Sequence, residues 1–358
     1  MDARRGDRTV SRPLRSPEDL AAAGLLPPDG IEALRPVLAR YALSITTDMA
    51  ELIDPADPAD PIARQFVPRA EELSVTPEER ADPIGDGAHE KLPGLIHRYP
   101  DRVLLKPLHI CPVYCRFCFR REQVGPEGLG TLTDAQFDAA FAYIAAHPAI
   151  WEVVLTGGDP FDLSPRRLGA IAERLAGIDH VKVLRLHTRV PVVKPDLVDD
   201  DLIGGLKRFG GAVFVALHAN HPREFTPTAR IACARLVDAG IPMVSQSVLL
   251  RGVNDEAATL ERLMRCFVEN RIKPYYLHHG DLAPGTGHLR TGLAEGQALM
   301  RDLRGRLSGL AQPTFILDIP GGHGKVPIGP GYLQETEDGL AVTDPSGRTH
   351  PYPPKDAQ

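Results

Sequence analysis

With 358 residues, 43% of them apolar and 25% charged, and a formal net charge of −6, the chain is long and apolar enough to bury a sizeable core. Its acidic balance argues against a general nucleic-acid binder, which needs a concentrated basic face to neutralise phosphates. No wholly apolar run approaches the ~20 residues that span a bilayer, and no apolar signal stretch follows Met1 to Arg8. A cytoplasmic protein with no membrane and no nucleic-acid partner is expected.

In chain order, residues 1–90 read as a helical accessory region and linker. Ser16-Pro17-Glu18-Asp19 carries the cap and the proline of a helix start, and apolar positions through Leu43 recur at helical intervals. A helix pair is expected there. From Asp54 to Pro61 a proline stands at every third position, which removes backbone donors and disfavours helix in the preceding residues. That run predicts an extended connector.

From Arg98 the pattern changes to short apolar runs alternating with longer amphipathic ones. Strands are predicted at Val103–Leu108, Glu152–Thr156, Val181–His187, Ala212–His218, Met243–Leu249, Ile272–His278 and Thr314–Asp318. Helices are predicted near Asp134–His147, Pro165–Ala176, Asp200–Phe209, Pro227–Ala239, Glu256–Asn270 and Glu295–Ser308. This alternation indicates an α/β fold with parallel pairing and right-handed crossovers. The number of units suits a partial (β/α) barrel better than an open doubly wound sheet, although periodicity alone does not separate the two. The barrel is placed at 91–331. The tail 332–358, rich in Pro, Asp and Gly, reads as loosely ordered or engaged in oligomer contacts.

Three of the five cysteines, Cys111, Cys115 and Cys118, fall within eight residues directly after the first predicted barrel strand. Such clustering fits a reducing compartment and a metal or redox site rather than disulfides. A structural zinc would need a fourth ligand, for which His109 is the near candidate. Three thiolates can otherwise hold an iron–sulfur cluster with one position left open. Further on, Gly157-Gly158-Asp159 ends a buried strand and reads, taken alone, as a turn with a helix cap. Asp318-Ile319-Pro320-Gly321-Gly322-His323-Gly324-Lys325 sets a lysine at the end of a glycine-rich loop. Val326 follows that lysine where a nucleotide-binding loop needs a hydroxyl.

The Cys-x3-Cys-x2-Cys spacing, with Tyr114 before the second cysteine and Phe117 before the third, resembles the cluster motif of radical S-adenosylmethionine enzymes. The resemblance implies a [4Fe–4S] cluster on Cys111, Cys115 and Cys118, whose open iron binds S-adenosyl-L-methionine. In this light Gly157, Gly158 and Asp159 look like the strand-edge motif that meets the methionine ammonium of that cofactor. The glycine loop resembles the segment of lysine 2,3-aminomutases whose lysine, here Lys325, carries pyridoxal 5'-phosphate. The likeness runs from about Ile45 to Gly331. It places Arg98, Tyr99 and Arg102 near pyridoxal phosphate, and His218 and Gln246 near S-adenosylmethionine.

For the substrate, the resemblance assigns Arg120 to an amino-acid carboxylate and the pair Asp281 and Asp318 to a distal ammonium. In glutamate-specific relatives these two positions are not both acidic. The residues alone leave a plainer reading open, in which Asp318 caps a turn, Asp281 starts a helix and His218 is a satisfied strand-end histidine. The implied reaction is radical migration of the amino group of L-lysine to give β-lysine, with an electron donor such as flavodoxin or ferredoxin and a homo-oligomeric assembly. Three readings compete: free-lysine metabolism or another cationic amino acid, supply of β-lysine for elongation factor P, and a non-catalytic metal module. The sequence departs from longer family members in having Glu256 where they carry a zinc-ligand cysteine, and in having no cysteine after Cys266. Zinc is therefore not expected. Phe117 stands where some relatives have a histidine near pyridoxal phosphate.

Overall fold

A computed structural model describes residues 12–353 except 126, 127, 129 and 338. Ten strands lie side by side in chain order: β1 (Glu90–Leu92), β2 (Leu95–Tyr99), β3 (Arg102–Leu108), β4 (Glu152–Gly157), β5 (Val183–Thr188), β6 (Ala212–His218), β7 (Met243–Val248), β8 (Ile272–His278), β9 (Thr314–Ile319) and β10 (Gly324–Pro327). Pairing is parallel from β3 to β9. The outer pairs β1–β2, β2–β3 and β9–β10 are antiparallel. The result is the expected partial barrel, with a hairpin at each rim.

Helices Asp134–Ala145, Pro165–Ala176, Asp200–Lys207, Pro227–Asp238, Ala257–Glu269 and Leu293–Arg306 make the crossovers. Local chemistry sets their starts. Thr133, Ser164, Asp199 and Thr226 each accept a backbone N–H in the first turn, and Pro165 and Pro227 follow two of these caps. Predicted and observed spans agree within a few residues. Strand β5 begins at Val183 rather than Val181, because the Val181 N–H is turned back onto the Ile178 carbonyl.

Because strand side chains alternate between faces, the barrel has two chemically distinct surfaces. One face supplies Val103, Leu105, Val153, Leu155, Leu184, Leu186, Val215, Leu217 and Phe315 to the core shared with helix residues such as Leu168, Leu206, Leu236 and Phe267. The opposite positions hold Arg98, Lys106, Thr156, His187, His218, Gln246, His278 and Asp318. Apolar burial therefore binds helices to strands, while the barrel interior is polar.

The N-terminal helix pair forms as Pro17–Ala22 and Ile31–Leu38, the first closed by a Ser16–Asp19 capping box. Tyr41, Ile45, Met49 and Phe66 belong to the same buried core as the barrel strands. One expectation needs correction. The run from Asp54 to Pro61 is not extended. It is folded into turns around the buried Asp60, whose carboxylate accepts from the backbone of Asp54, Ile62 and Ala63 and from Arg223. In the tail, the described residues Leu333–Thr336, Gly339–Thr343 and Thr349–Tyr352 pair into an antiparallel sheet. Among the described residues, no helix is long and apolar enough to cross a membrane.

Candidate active site

The three clustered cysteines lie in turns between β3 and the helix Asp134–Ala145, at the carboxyl end of the parallel strands where α/β folds gather their chemistry. The loop reaches that place because Gly158 has no side chain. A Cβ there would lie 2.2 Å from the Ile110 carbonyl oxygen. The N–H groups of Gly158 and Asp159 donate to the carbonyls of Leu108 and Ile110, which seats the start of the loop on the end of β4. All three cysteine residues are half-buried. The surrounding protein pushes Cys118 up to about 11 and Cys111 well above its ordinary value, chiefly by burial. Such thiols become anions by exchanging a proton for a metal.

Asp159 is held in place by protein donors. Its carboxylate accepts from the Thr188 hydroxyl at 2.6 Å, from Phe161 N at 3.0 Å and from Arg189 N at 2.7 Å. Burial pushes its carboxyl up to about 6 despite these donors. Asp159 thus ties the end of β4 to the end of β5. Arg189, held there, donates to the Cys115 sulfur at 3.0 Å and to Glu224 at 2.5 Å.

Inside the barrel a polar row crosses from strand to strand. His187 on β5 meets Gln246 on β7, and Gln246 meets His278 on β8, each at 3.2 Å. His278 Nδ1 lies 3.8 Å from Asp318 on β9, and the Asp318 carboxylate contacts the Lys325 side chain on β10. The ring of His218 stands 5.7 Å from that of His187. Burial drags His218 down to about 3 and lowers His187 and His278, so the imidazoles are neutral near pH 7. Burial also opposes ionisation of Asp318, but the facing His278 and Lys325 outweigh it and hold the carboxyl at about 2. Asp281, in the loop after β8, goes the other way. Burial first, and the charge of Asp318 second, push it up to about 7.

Lys325 stands on β10, directly after the hairpin turn. The turn is cramped: Gly322 has φ +86°, and a Cβ there would lie 2.7 Å from His89 Nε2. The Lys325 N–H donates to the Tyr99 hydroxyl at 2.9 Å, and the Arg102 guanidinium lies 3.8 Å over the Tyr99 ring. Arg98 bonds Asp86 at 3.1 Å and comes within 3.9 Å of Asp318. Arg120 reaches in from the cysteine loop, with Nη2 2.8 Å from Asp86 and Nη1 3.4 Å from Thr156. The fold thus gathers Arg98, Tyr99, Arg102, Arg120, Asp281, Asp318 and Lys325 at one end of the row, with Gln246 and His218 along it.

His187, His278, Asp86 and Arg189 were not singled out in the sequence. The two histidines share the strand parity of His218 and Gln246, and that alternation could have found them. Asp86 lies in a turn with no distinguishing pattern, and its role is visible only through Arg98 and Arg120.

A barrel open at one side, with three thiols in the loop after its first parallel strand, is the arrangement of a radical S-adenosylmethionine enzyme. A family model described as the radical SAM superfamily matches residues 105–263, and one described as lysine-2,3-aminomutase matches residues 300–343. The chain is 40% identical to the L-lysine 2,3-aminomutase of Acetoanaerobium sticklandii over 324 residues, covering 90% of this chain and 78% of that one. It is 37% identical to that of Bacillus subtilis, covering 96% and 73%. A glutamate 2,3-aminomutase from Clostridioides difficile is 34% identical, covering 84% and 71%. The chain belongs to the lysine 2,3-aminomutase family and is a radical isomerase, with a [4Fe–4S] cluster, S-adenosylmethionine and pyridoxal phosphate as cofactors.

The residues present fit these groups. Three thiols suit a cluster that leaves one iron open. Among the described residues no three His, Cys, Asp or Glu side chains converge on a single ion. A cluster asks for no such convergence, because each thiolate binds a different iron. Asp318 Oδ1 is buried without a hydrogen-bond donor, with Arg98 Nη1 3.9 Å away, an acceptor that a charged ligand could complete.

Proposed function

We propose that the chain moves the α-amino group of L-lysine to its β-carbon, giving β-lysine. Bound at this site, the cofactors supply one-electron hydrogen abstraction and a conjugated anchor for the migrating nitrogen. In this reading Cys111, Cys115 and Cys118 hold the cluster. Gly157, Gly158, Asp159, His218 and Gln246 line the place of S-adenosylmethionine, and the Asp159 carboxylate also fixes the turns beneath it. Lys325, Arg98, Tyr99 and Arg102 receive pyridoxal phosphate. Lys325 is the catalytic residue, exchanging its own nitrogen for that of the substrate.

The observation that carries the substrate assignment is the pair of interior carboxylates, Asp281 and Asp318, set in the same chamber as the Arg120 guanidinium. Among the described residues, Arg120 Nη2 bonds Asp86 and Nη1 bonds Thr156, and Nε makes no hydrogen bond, leaving an edge for a substrate carboxylate. Burial first, and the charge of Asp318 second, raise Asp281, so a substrate cation beside it would favour its charged form. A glutamate side chain would add a third negative charge here. A lysine side chain relieves the repulsion and fixes the far end of the substrate, so the β-carbon is held in one position for hydrogen removal. The row of neutral histidines can orient ligands without contributing protons to solvent.

The test is anaerobic reconstitution with iron, sulfide and pyridoxal phosphate, followed by incubation of single amino acids with S-adenosylmethionine and dithionite. Formation of β-lysine from lysine, with glutamate unreactive, is the expected result. Isomerisation of another amino acid but not lysine would refute the substrate assignment.

A further inference from the structure

The loop that carries the three cysteines has no regular secondary structure of its own between Ile110 and Gly125. Its geometry is set from outside, largely by the segment before the barrel. The N–H of Tyr114 donates to the Ser44 carbonyl at 3.0 Å, and that of Arg116 donates to the Gln65 carbonyl at 2.8 Å. The Ser44 hydroxyl donates to the Pro112 carbonyl at 2.8 Å.

The strongest of these ties converge on Glu72, in the short turn Ala70–Leu73, a residue with no exposed surface. Arg116 Nε lies 3.0 and 3.1 Å from the two Glu72 oxygens, and Arg116 Nη2 lies 2.5 Å from Oε2. Arg121 donates to the same Oε2 and, through Nη1, to the Arg116 carbonyl at 2.9 Å. Its guanidinium lies 3.5 Å over the Tyr41 ring. The two arginines bracket Cys118, and Arg116 directly follows Cys115. One buried carboxylate therefore fixes both sides of the Cys115–Cys118 turn. It meets two guanidiniums with a single negative charge, so positive charge is left over in the loop whose thiolates and cluster are anionic.

The same turn supports the substrate side. A Cβ on Gly285 would stand 2.1 Å from the Glu72 carbonyl oxygen, and Arg121 Nη1 reaches the Gly285 carbonyl at 3.3 Å. Gly285 lies four residues beyond Asp281.

We propose that Glu72 is a positioning residue for the cluster: by holding Arg116 and Arg121 it presets the spacing of the thiolates, and it joins that loop to the loop of Asp281. The inference rests on the assignment of the three cysteines to the cluster. It concerns assembly of the cluster rather than any group that touches the substrate.

The experiment compares wild type, Glu72→Gln, Glu72→Asp and Arg121→Gln after anaerobic reconstitution with iron, sulfide and pyridoxal phosphate. Iron and sulfide per chain, the visible absorption of the cluster and the pyridoxal absorption are read on the same samples. Glu72→Gln is expected to lose cluster affinity by roughly 10-fold or more, the scale of lost outer-shell partners, while pyridoxal uptake stays at the wild-type level. Glu72→Asp should recover part of the cluster. Wild-type cluster content in Glu72→Gln would overturn the proposal. So would a parallel loss of cluster and pyridoxal, which would make Glu72 a prop of the whole fold. If circular dichroism shows Glu72→Gln unfolded, Arg121→Gln decides: a selective loss of cluster supports the proposal, and either no loss or a parallel loss overturns it. Failure of wild type to load a cluster would break the functional reading itself, and this inference with it.

Discussion

The cysteine loop and the lysine hairpin face the same chamber but are held by opposite means. Around the cysteines, Glu72 and Arg116 are 0% and 2% exposed in their side chains, and several buried ion pairs fix the backbone. Around Lys325 the side chain is 33% exposed and its ammonium pairs with the single carboxylate of Asp318, the turn is built on glycines, and its backbone N–H is satisfied by one tyrosine hydroxyl. Removing one partner of a fully buried ion pair costs about 3–5 kcal/mol, more than a partly exposed pair such as Lys325–Asp318 or a neutral hydrogen bond, worth about 1 kcal/mol. The difference matches the two tasks. Cluster ligands must stand still in three places at once, while a lysine that exchanges its nitrogen for a substrate's must be able to leave.

Substitutions can break or sharpen this contrast, and their expected effects run from abolition to a few-fold change. Cys118→Ala should lose the cluster and all turnover, yet keep pyridoxal uptake. Retention of a full iron complement would remove this cysteine from the ligand set. Lys325→Ala should show the reverse, with wild-type iron and sulfide but no covalent pyridoxal absorption. Loss of both in either variant would mean that the two regions are not independently held.

Asp281→Asn should raise KM for lysine by on the order of 30-fold or more, within the ~2–5 kcal/mol that a lost partner in a buried charge pair costs, with iron and pyridoxal contents unchanged. Its pH dependence carries a sign. Burial and the nearby Asp318 push the Asp281 carboxyl up to about 7, and a bound cation favours the anion. Lysine affinity should therefore rise as pH climbs through about 7 in wild type. In Asp281→Asn that rise should flatten, and a rise that persists unchanged would assign it to another group. The smallest effect is expected from Tyr99→Phe, about 1 kcal/mol or some fivefold in pyridoxal affinity, measured by titration. A loss as large as that of Lys325→Ala would show that the hairpin is held more firmly than its contacts indicate.

Much of this was legible in the chain. The strand and helix pattern is carried by apolar periodicity and by caps such as Thr133 and Ser164, both local signals, and the cysteine spacing is local as well. The hairpins were missed for a different reason. The Pro93-Gly94 turn joins two short strands with little apolar content, and β10 overlaps a glycine motif that reads as a loop. The Asp54–Pro61 run was misjudged because prolines disfavour helix without dictating extension, and the folding of this run depends on Asp60 meeting Arg223, 163 residues away. Asp86 and Glu72 were invisible for the same reason. Their meaning lies in arginines that the fold brings to them.

The hairpins at the rims have a consequence for the life of the protein in a crowded solution. An unclosed barrel leaves two outer strands with backbone groups that could template another chain. Here β1 is only three residues long and carries Glu90 and Lys91, and β10 ends at Pro327, which has no N–H to offer. Both margins are blunt, so the opening that admits ligands need not also invite strand-by-strand aggregation.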